Sequence, residues 1–143
     1  MSLTSQPAST SAACCWIPLF ALRCEAARRP GFASKPGALL APDVARRLWE
    51  VSPLARHAGV RPGMTVSQAI GLCPSLWLCE PDPAYYDEQF ARLLSALREV
   101  SPVVEPAELG RAFVGTDGLE GLYGGPEGQV EAIKKAVWRT GGR

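Results

Sequence analysis

The side chains that could do chemistry in this chain are few and scattered. There is one histidine, His57, and no two cysteines have the Cys-x-x-Cys spacing of a zinc site. An odd number of cysteines without a regular framework also argues against a secreted disulfide scaffold. We therefore predict that they are small buried residues of a protein in a reducing cytoplasm. The five are Cys14, Cys15, Cys24, Cys73 and Cys79.

Arg56 is a second candidate, within VSPLARHAGVRPGMTVSQAIGLCP over residues 51–74. Ser52 is typical of a residue that caps the start of a helix, and Gly59 is typical of the residue that ends one. Thr65 is a typical cap for a second helix. The stretch thus predicts two short helices joined by a glycine-bounded turn, with Arg56 at the joint.

Composition bounds the class of protein. The chain has 143 residues, 47% of them hydrophobic and 20% charged, which suits about one globular domain. A net charge of +1 gives no case for nucleic acid by itself. The apolar run over residues 12–22 has no basic flank and contains Pro18, so we expect neither a signal peptide nor a membrane span. These features favour a soluble cytoplasmic protein.

Hydrophobic periodicity and capping residues predict the elements that must position any site. Asp43 and Asp82 are read as helix caps. The first half of the chain is predicted to contain disorder over 1–12, a strand over 13–17, a helix over 19–28, a strand over 37–41 and a helix from Asp43. The two short helices on either side of the Gly59–Gly63 turn follow. The second half is predicted to contain a long helix from Asp82 to Pro102, strands over 103–107 and 111–115, and a helix over 127–138.

This order predicts an α+β fold with an insertion. Without the insertion, the elements form β-α-β-β-α, which is a ferredoxin-like unit lacking its last strand. We assign 1–12 to a disordered segment, 13–30 to the first strand and helix of the unit, 31–81 to an inserted small helical subdomain, and 82–143 to the rest. The absent strand would leave an exposed sheet edge, which predicts self-association.

Several motifs in this order resemble the start of a Y-family (UmuC-like) DNA polymerase. The family has a ferredoxin-like palm and a small helical fingers subdomain inserted after the first palm strand and helix. The likeness runs over residues 14 to 139 and lacks the last palm strand, thumb and little finger, which indicates a truncated form. The matching pieces are WIPLFALRCEAARRP with Phe20, Glu25 and Pro30, SKP at 34–36, ARHAGVRPGM with Ala69, LCP at 72–74, Tyr85 or Tyr86, and VSPVVEPAELGRAFVG.

The resemblance implies that Arg56 is the fingers arginine that reaches the triphosphate of the incoming nucleotide. The family's accompanying Thr and Tyr fall on Glu50 and Pro53, of which the first repels phosphate and the second has no hydroxyl. A structural alternative is that Arg56 only pairs with a carboxylate or caps a helix end.

The resemblance also implies three metal-binding carboxylates, and this chain has none of them. The first-strand aspartate falls on Trp16, and the Asp-Glu pair of the hairpin falls on Gly110 and Arg111. Two-metal phosphoryl transfer needs such carboxylates to hold Mg²⁺. The aromatic gate against ribonucleotides falls on Ala21. We therefore expect no metal, no cofactor and no catalytic residue.

A Y-family shape without metal ligands is similar to the non-catalytic ImuB-like group. That resemblance implies an adaptor in DNA repair and damage-induced (SOS) mutagenesis, beside an error-prone replicative-type polymerase and a RecA-like protein, with weak or indirect DNA binding and no membrane association. The alternative is a fragment of an active translesion polymerase. A third possibility is a generic α+β domain, which would be favoured if 103–107 and 111–115 did not pair or if the Gly59–Gly63 turn were not on the surface.

Overall fold

The chain divides into two compact units, each described here by itself. The computed structural model describes residues 2–6, 12–115 and 131–135. Unit 1 comprises Met1–Pro18 and Asp87–Arg143, and unit 2 comprises Leu19–Tyr86. This division places the first helix with the inserted elements, whereas the sequence grouped it with the first strand.

The described elements alternate between short strands and helices. Strands are β1 (Ser2–Gln6), β2 (Ala12–Trp16), β3 (Gly37–Leu40), β4 (Leu48–Val51), β5 (Trp77–Cys79), β6 (Val104–Pro106) and β7 (Arg111–Gly115). Helices are α1 (Phe20–Arg28), α2 (Pro53–His57), α3 (Val66–Leu72) and α4 (Pro83–Arg98), with a 3₁₀ turn at Phe32–Ser34. No helix within the described ranges is long and apolar enough to span a bilayer.

Unit 1 contains a four-stranded antiparallel sheet in the order β1-β2-β7-β6. One face is buried, because Ala13 and Cys15 of β2 and Ala112 and Val114 of β7 alternate with half-buried or exposed neighbours. The β6–β7 pairing confirms the predicted hairpin over 103–107 and 111–115. Ser101 donates its Oγ–H to the Gly115 carbonyl at 2.7 Å and so ties the start of the hairpin to its end.

The disorder expected for residues 1–12 is wrong for part of that segment. Ser2–Gln6 forms β1 and pairs with β2 along its full length, from Ser2 opposite Trp16 to Gln6 opposite Ala12. Composition alone predicted disorder, but an unpaired strand edge offers backbone donors and acceptors that a neighbouring segment satisfies. The β2 edge expected to drive self-association is therefore covered by the chain's own residues.

Unit 2 has a three-stranded sheet in the order β4-β3-β5, with β3 antiparallel to β4 and parallel to β5. The predicted caps of its two short helices are confirmed. Ser52 Oγ accepts from the Ala55 amide at 3.2 Å at the start of α2, and Thr65 and Gln68 form a capping box at the start of α3. The core residues are Ala38, Leu48, Val51, Ala55, Val60, Ala69 and Cys73.

Two predicted elements of unit 2 need correction. The helix expected from Asp43 is absent: Arg46 has a left-handed φ of 61°, and Leu48–Val51 is a strand that pairs with β3. The apolar spacing of Val44 and Leu48 suggested a helix, but pairing with β3 overrides it, and Val44 is exposed. Strand β5 was not predicted.

The long helix is confirmed as α4. The Asp82 carboxylate accepts from the Tyr85 amide at 3.3 Å, and Leu93, Leu94 and Leu97 are buried as their spacing requires. For the last predicted helix, residues 131–135 are helical and the remainder of 127–138 lies outside the described residues.

Candidate functional site

The three positions expected to be degenerate lie together where β2 meets β7. Trp16 and Arg111 are directly opposite each other in the antiparallel pair, and the Ile17 amide donates to the Gly110 carbonyl at 2.8 Å. Residues paired across two antiparallel strands point to the same face of the sheet. The structure thus brings Trp16, Gly110 and Arg111 to one place within unit 1.

An aromatic ring and a cation occupy this place. The guanidinium carbon of Arg111 lies 5.1 Å from the centroid of the Trp16 ring, within the range of a cation–π contact. Arg111 Nη1 also pairs with Glu108 Oε1 at 3.0 Å. Trp16 remains 39% exposed, so the pair lies at the surface. Its chemistry is that of a weakly stabilising surface contact.

The residues at this place do not fit a bound Mg²⁺. Magnesium needs carboxylate oxygens in octahedral arrangement, whereas Trp16 and Gly110 offer none and Arg111 is positively charged. The nearby Glu108 carboxylate is already paired with Arg111. No three His, Cys, Asp or Glu side chains of the described ranges cluster in a way that could hold a metal ion.

Arg56 lies on α2 of unit 2 and is exposed. Neither structural role considered for its side chain is seen, because the guanidinium makes no ion pair or capping bond with another described residue. Arg61 satisfies the end of α2 instead: its Nη1 donates to the Arg56 carbonyl at 2.7 Å and to the Val60 carbonyl at 2.9 Å. Sequence reasoning missed Arg61, although a cation after a helix end is a known signal.

Glu50 points at a helix end. Its Oε1 accepts from the Leu22 amide at 2.8 Å, in the first turn of α1. This contact satisfies a first-turn amide of α1, because the preceding residue, Leu19, has a left-handed φ of 55° and makes no capping hydrogen bond with its side chain. Burial raises the pKa of Glu50, and the Leu22 hydrogen bond partly opposes that rise. Pro53, the other position of the phosphate-contact pair, is the first residue of α2.

An ionic cluster in unit 2 is built around one buried carboxylate, that of Glu25. Glu25 is fully buried and accepts from Arg28 Nε at 2.5 Å, and Arg29 Nε lies 3.5 Å from it. Cys79 donates its thiol to Glu25 Oε2 at 3.2 Å. Arg28 extends the cluster to Asp82 at 2.9 Å.

The charges of this cluster shift the pKa values of its members. Burial acts to raise the pKa of Glu25, but the hydrogen bonds from Arg28 and Cys79 outweigh it and the pKa is lowered. The pKa of Cys79 rises to about 11, mainly through burial and then through its bond to Glu25. The i, i+3 and i+4 spacing of Glu25, Arg28 and Arg29 is the sequence signal that could have revealed the pairing. All five cysteines are free thiols, and only Cys14 is not buried.

The family of this chain follows from its similarity to known proteins. Residues 15–142 match the impB/mucB/samB family. The chain belongs to this family. Relatives include the DNA polymerase IV of Pelotomaculum thermopropionicum, 34% identical over 101 residues, which are 68% of this chain and 25% of the relative. The DNA polymerase IV of Clostridium kluyveri is 26% identical over 82% of this chain and 30% of its own length.

Solved structures show the same fold. A Dbh ternary complex matches with a TM-score of 0.76 at 20% identity, over 90% of this chain and 37% of the solved one. DinB from Sulfolobus solfataricus matches with a TM-score of 0.75 at 19% identity, over 90% and 38%. The predicted α+β palm with an insertion is thereby confirmed, and a fortuitous likeness is excluded. The chain spans about a fifth to a third of the curated relatives that match it.

Proposed function

We propose that this Y-family polymerase-like chain is non-catalytic and acts as an adaptor in DNA damage repair and damage-induced mutagenesis. The observation that carries the proposal is the Trp16–Arg111 pair at the junction of β2 and β7. In a two-metal mechanism, carboxylates at this place would hold the ions that clamp the attacking and leaving oxygens. A guanidinium there repels those ions instead.

The residues implied to contact the triphosphate of a nucleotide are also mostly replaced. Arg56 is the one residue of the implied phosphate-contact set that keeps a phosphate-binding side chain. Glu50, which stands where a hydroxyl would contact phosphate, is bound to the start of α1. The Glu50 carboxylate is thus occupied by a contact within unit 2, and in its charged form it repels phosphate. We infer that Arg56 is a remnant that does not suffice to hold a nucleoside triphosphate.

Without metal or nucleotide, the function would lie in protein contacts. By resemblance to ImuB-like proteins, the partners we propose are an error-prone replicative-type polymerase and a RecA-like protein, in the cytoplasm. The cysteines are consistent with a reducing compartment, since all five are unpaired thiols.

A second candidate function is a fragment of an active translesion polymerase. The observation in its favour is that the curated relatives carry the name DNA polymerase IV. It requires metal ligands that the β2–β7 junction does not present.

Calorimetric titration with Mg²⁺, alone and with a deoxynucleoside triphosphate, separates the two candidates. We expect no binding to the natural chain and a gain of Mg²⁺ binding in W16D/G110D/R111E. Gly110 has a φ of 83°, where an aspartate costs roughly 1 kcal/mol, so W16D/R111E is measured in parallel.

The matched control is W16N/R111Q, which removes the ring and the cation but adds no carboxylate, and we expect it to bind no Mg²⁺. Circular dichroism confirms that each variant is folded. Mg²⁺-dependent nucleotide binding or primer extension by the natural chain would favour the polymerase fragment and refute the adaptor proposal.

A further inference from the structure

The outermost strand of the unit 1 sheet lies outside the part of the chain that matches the family. The match begins at residue 15, whereas β1 comprises Ser2–Gln6. Its only neighbour in the sheet is β2, because the strand order is β1-β2-β7-β6. Among the described elements, β1 alone lies wholly before the matched residues, so this chain adds it to the sheet that the matched residues form.

The edge of β2 that β1 covers is the edge left open by the ferredoxin-like order. One edge of β2 pairs with β7, so a further strand beside β2 can pair only with the other edge. The β-α-β-β-α-β unit ends in a strand, and the sequence predicted that the absence of this strand exposes an edge. The place is taken by β1, which is antiparallel to β2 and comes from the opposite end of the element order.

The residue types of β1 fit this place only in part. Leu3 is paired with Cys15 and Ser5 with Ala13, and both of these β2 residues are fully buried. Positions on the buried face of an antiparallel sheet favour apolar residues, whereas positions on the solvent face favour polar ones. Leu3 meets this preference and Ser5 does not. An otherwise equal strand with an apolar residue in place of Ser5 would therefore pair more stably with β2.

A short connection keeps β1 close to β2 despite this imperfect fit. Only residues 7–11 separate the two strands. A short connection corresponds to an effective concentration on the order of mM for the tethered strand. Segments with few apolar contacts open locally without unfolding of the whole domain, and Leu3 is the only apolar residue of β1. We therefore expect β1 to cover the edge of β2 reversibly.

We propose that β1 is a replaceable cover strand, which an extended segment of a partner protein displaces in order to pair with β2. This segment has apolar residues at both positions opposite Ala13 and Cys15. A strand edge offers a row of backbone N–H and C=O groups, which the backbone of another extended chain satisfies. The backbone bonds supply affinity, and the two apolar positions supply specificity.

A partner protein is a better occupant than a second copy of this chain. The β1 strand of a second copy has the same Ser5 opposite Ala13, so an exchange between copies gains no pairing energy. Such an exchange also costs the translational and rotational freedom that is lost on association. A partner segment with a second apolar residue gains pairing energy that offsets this cost. The inference rests on the proposed function only in that an adaptor acts through protein contacts.

The test is an NMR titration of the ¹⁵N-labelled full chain with three peptides derived from β1. SLTSQ is the natural sequence, SLTVQ has valine at the position of Ser5, and SLVSQ has valine at the position of Thr4. The last peptide is the matched control, because it adds the same side chain to the opposite face of the strand. We expect SLTVQ to shift the β2 amide signals and to bind about tenfold more tightly than either of the other peptides.

Two variants of the chain test whether β1 competes with the peptide. Thr4→Pro disfavours the extended pairing of β1, whereas Ser5→Val strengthens it. We expect the affinity for SLTVQ to rise in Thr4→Pro and to fall by up to about tenfold in Ser5→Val. In the natural chain, hydrogen exchange of the β1 amides should be at least about tenfold faster than that of the β7 amides.

The proposal is overturned if SLTVQ does not bind Thr4→Pro, if its affinity is the same in both variants, if SLVSQ binds as tightly, or if the β1 amides exchange only as fast as those of β7. A dimer of the natural chain that SLTVQ dissociates, measured by light scattering, would identify a second copy as the occupant and would also overturn it. The calorimetric test of the proposed function contains no peptide, and this test contains no metal or nucleotide, so either proposal can fail without the other.

Discussion

The carboxylates of the two units differ in their burial and in the contacts they make. In unit 2, Glu25 accepts from Arg28 and Cys79, and Glu50 caps the start of α1. In unit 1, the place where β2 meets β7 carries Trp16 and Arg111, and the nearby Glu108 only pairs with that arginine. Glu25 is fully buried and Glu50 is half-buried, whereas the contacts of the second set lie at the surface.

This difference distinguishes carboxylates that stabilise the fold from carboxylates that would only bind a metal. Removing a buried carboxylate leaves a partly buried cation and a polar neighbour without an acceptor, which is costly. Replacing surface carboxylates that only hold a metal leaves the strand pairing intact, because the β2–β7 ladder uses backbone atoms. The proposed absence of metal ligands is therefore compatible with an intact β2–β7 ladder.

The largest effect is expected from Glu25→Gln. We predict a loss of about 3 kcal/mol in the free energy of unfolding, the low end for breaking a buried pair, because Arg28 keeps Asp82 as a partner. Urea denaturation at neutral pH measures it.

Glu108→Gln is the matched control, since it also removes a carboxylate that pairs with an arginine three residues away. Equal losses in the two variants would show that burial is not what distinguishes the two units.

A smaller effect is expected in how the contributions of Glu25 and Glu50 to stability depend on pH. The pKa of Glu25 is lowered in the fold, so its contribution to stability is present above its unfolded pKa of about 4.3 and is lost as pH falls through the folded value. The pKa of Glu50 is raised, so its contribution is complete below the unfolded value and is lost as pH rises through the folded one.

Denaturation curves between pH 3 and pH 7 test this contrast. We expect Glu50→Gln to be more stable than the natural chain at pH 7 and to lose that advantage at acid pH. Glu25→Gln should show the reverse, a deficit at pH 7 that shrinks on acidification. The same direction of change in both variants would contradict the assignment of opposite pKa shifts.

The smallest effect is expected at the β2–β7 junction itself. Arg111→Gln removes a cation–π contact and an ion pair whose partners are 36% and 68% exposed, and such pairs contribute about 0–1 kcal/mol. We predict a change in unfolding free energy below about 1 kcal/mol, measured beside Glu25→Gln under the same conditions. A loss as large as that of Glu25→Gln would mean that Arg111 is a structural residue.

Local signals were sufficient for much of the fold. Ser52, Thr65 and Asp82 cap helices as predicted, because a cap is decided by one side chain and the amides two or three residues later. The β6–β7 hairpin was also predictable, since its two strands are close in sequence.

Elements and contacts that depend on residues distant in the chain were not predicted. Leu48–Val51 became a strand because β3 lies beside it, and Ser2–Gln6 became a strand because β2 had an edge to pair. The binding of Arg61 to the end of α2 and of Glu50 to the start of α1 likewise depends on how segments meet. None of these outcomes is encoded in a local window.

By itself, the sequence determined that the implied metal positions hold Trp16, Gly110 and Arg111, since residue identity needs no coordinates. Only the tertiary structure decided that Trp16 and Arg111 face each other, that Glu25 is buried, and that Arg61 binds the end of α2. The physical reason is that side-chain chemistry is a property of each residue, whereas burial, pairing and charge clustering arise from contacts between residues far apart in the chain.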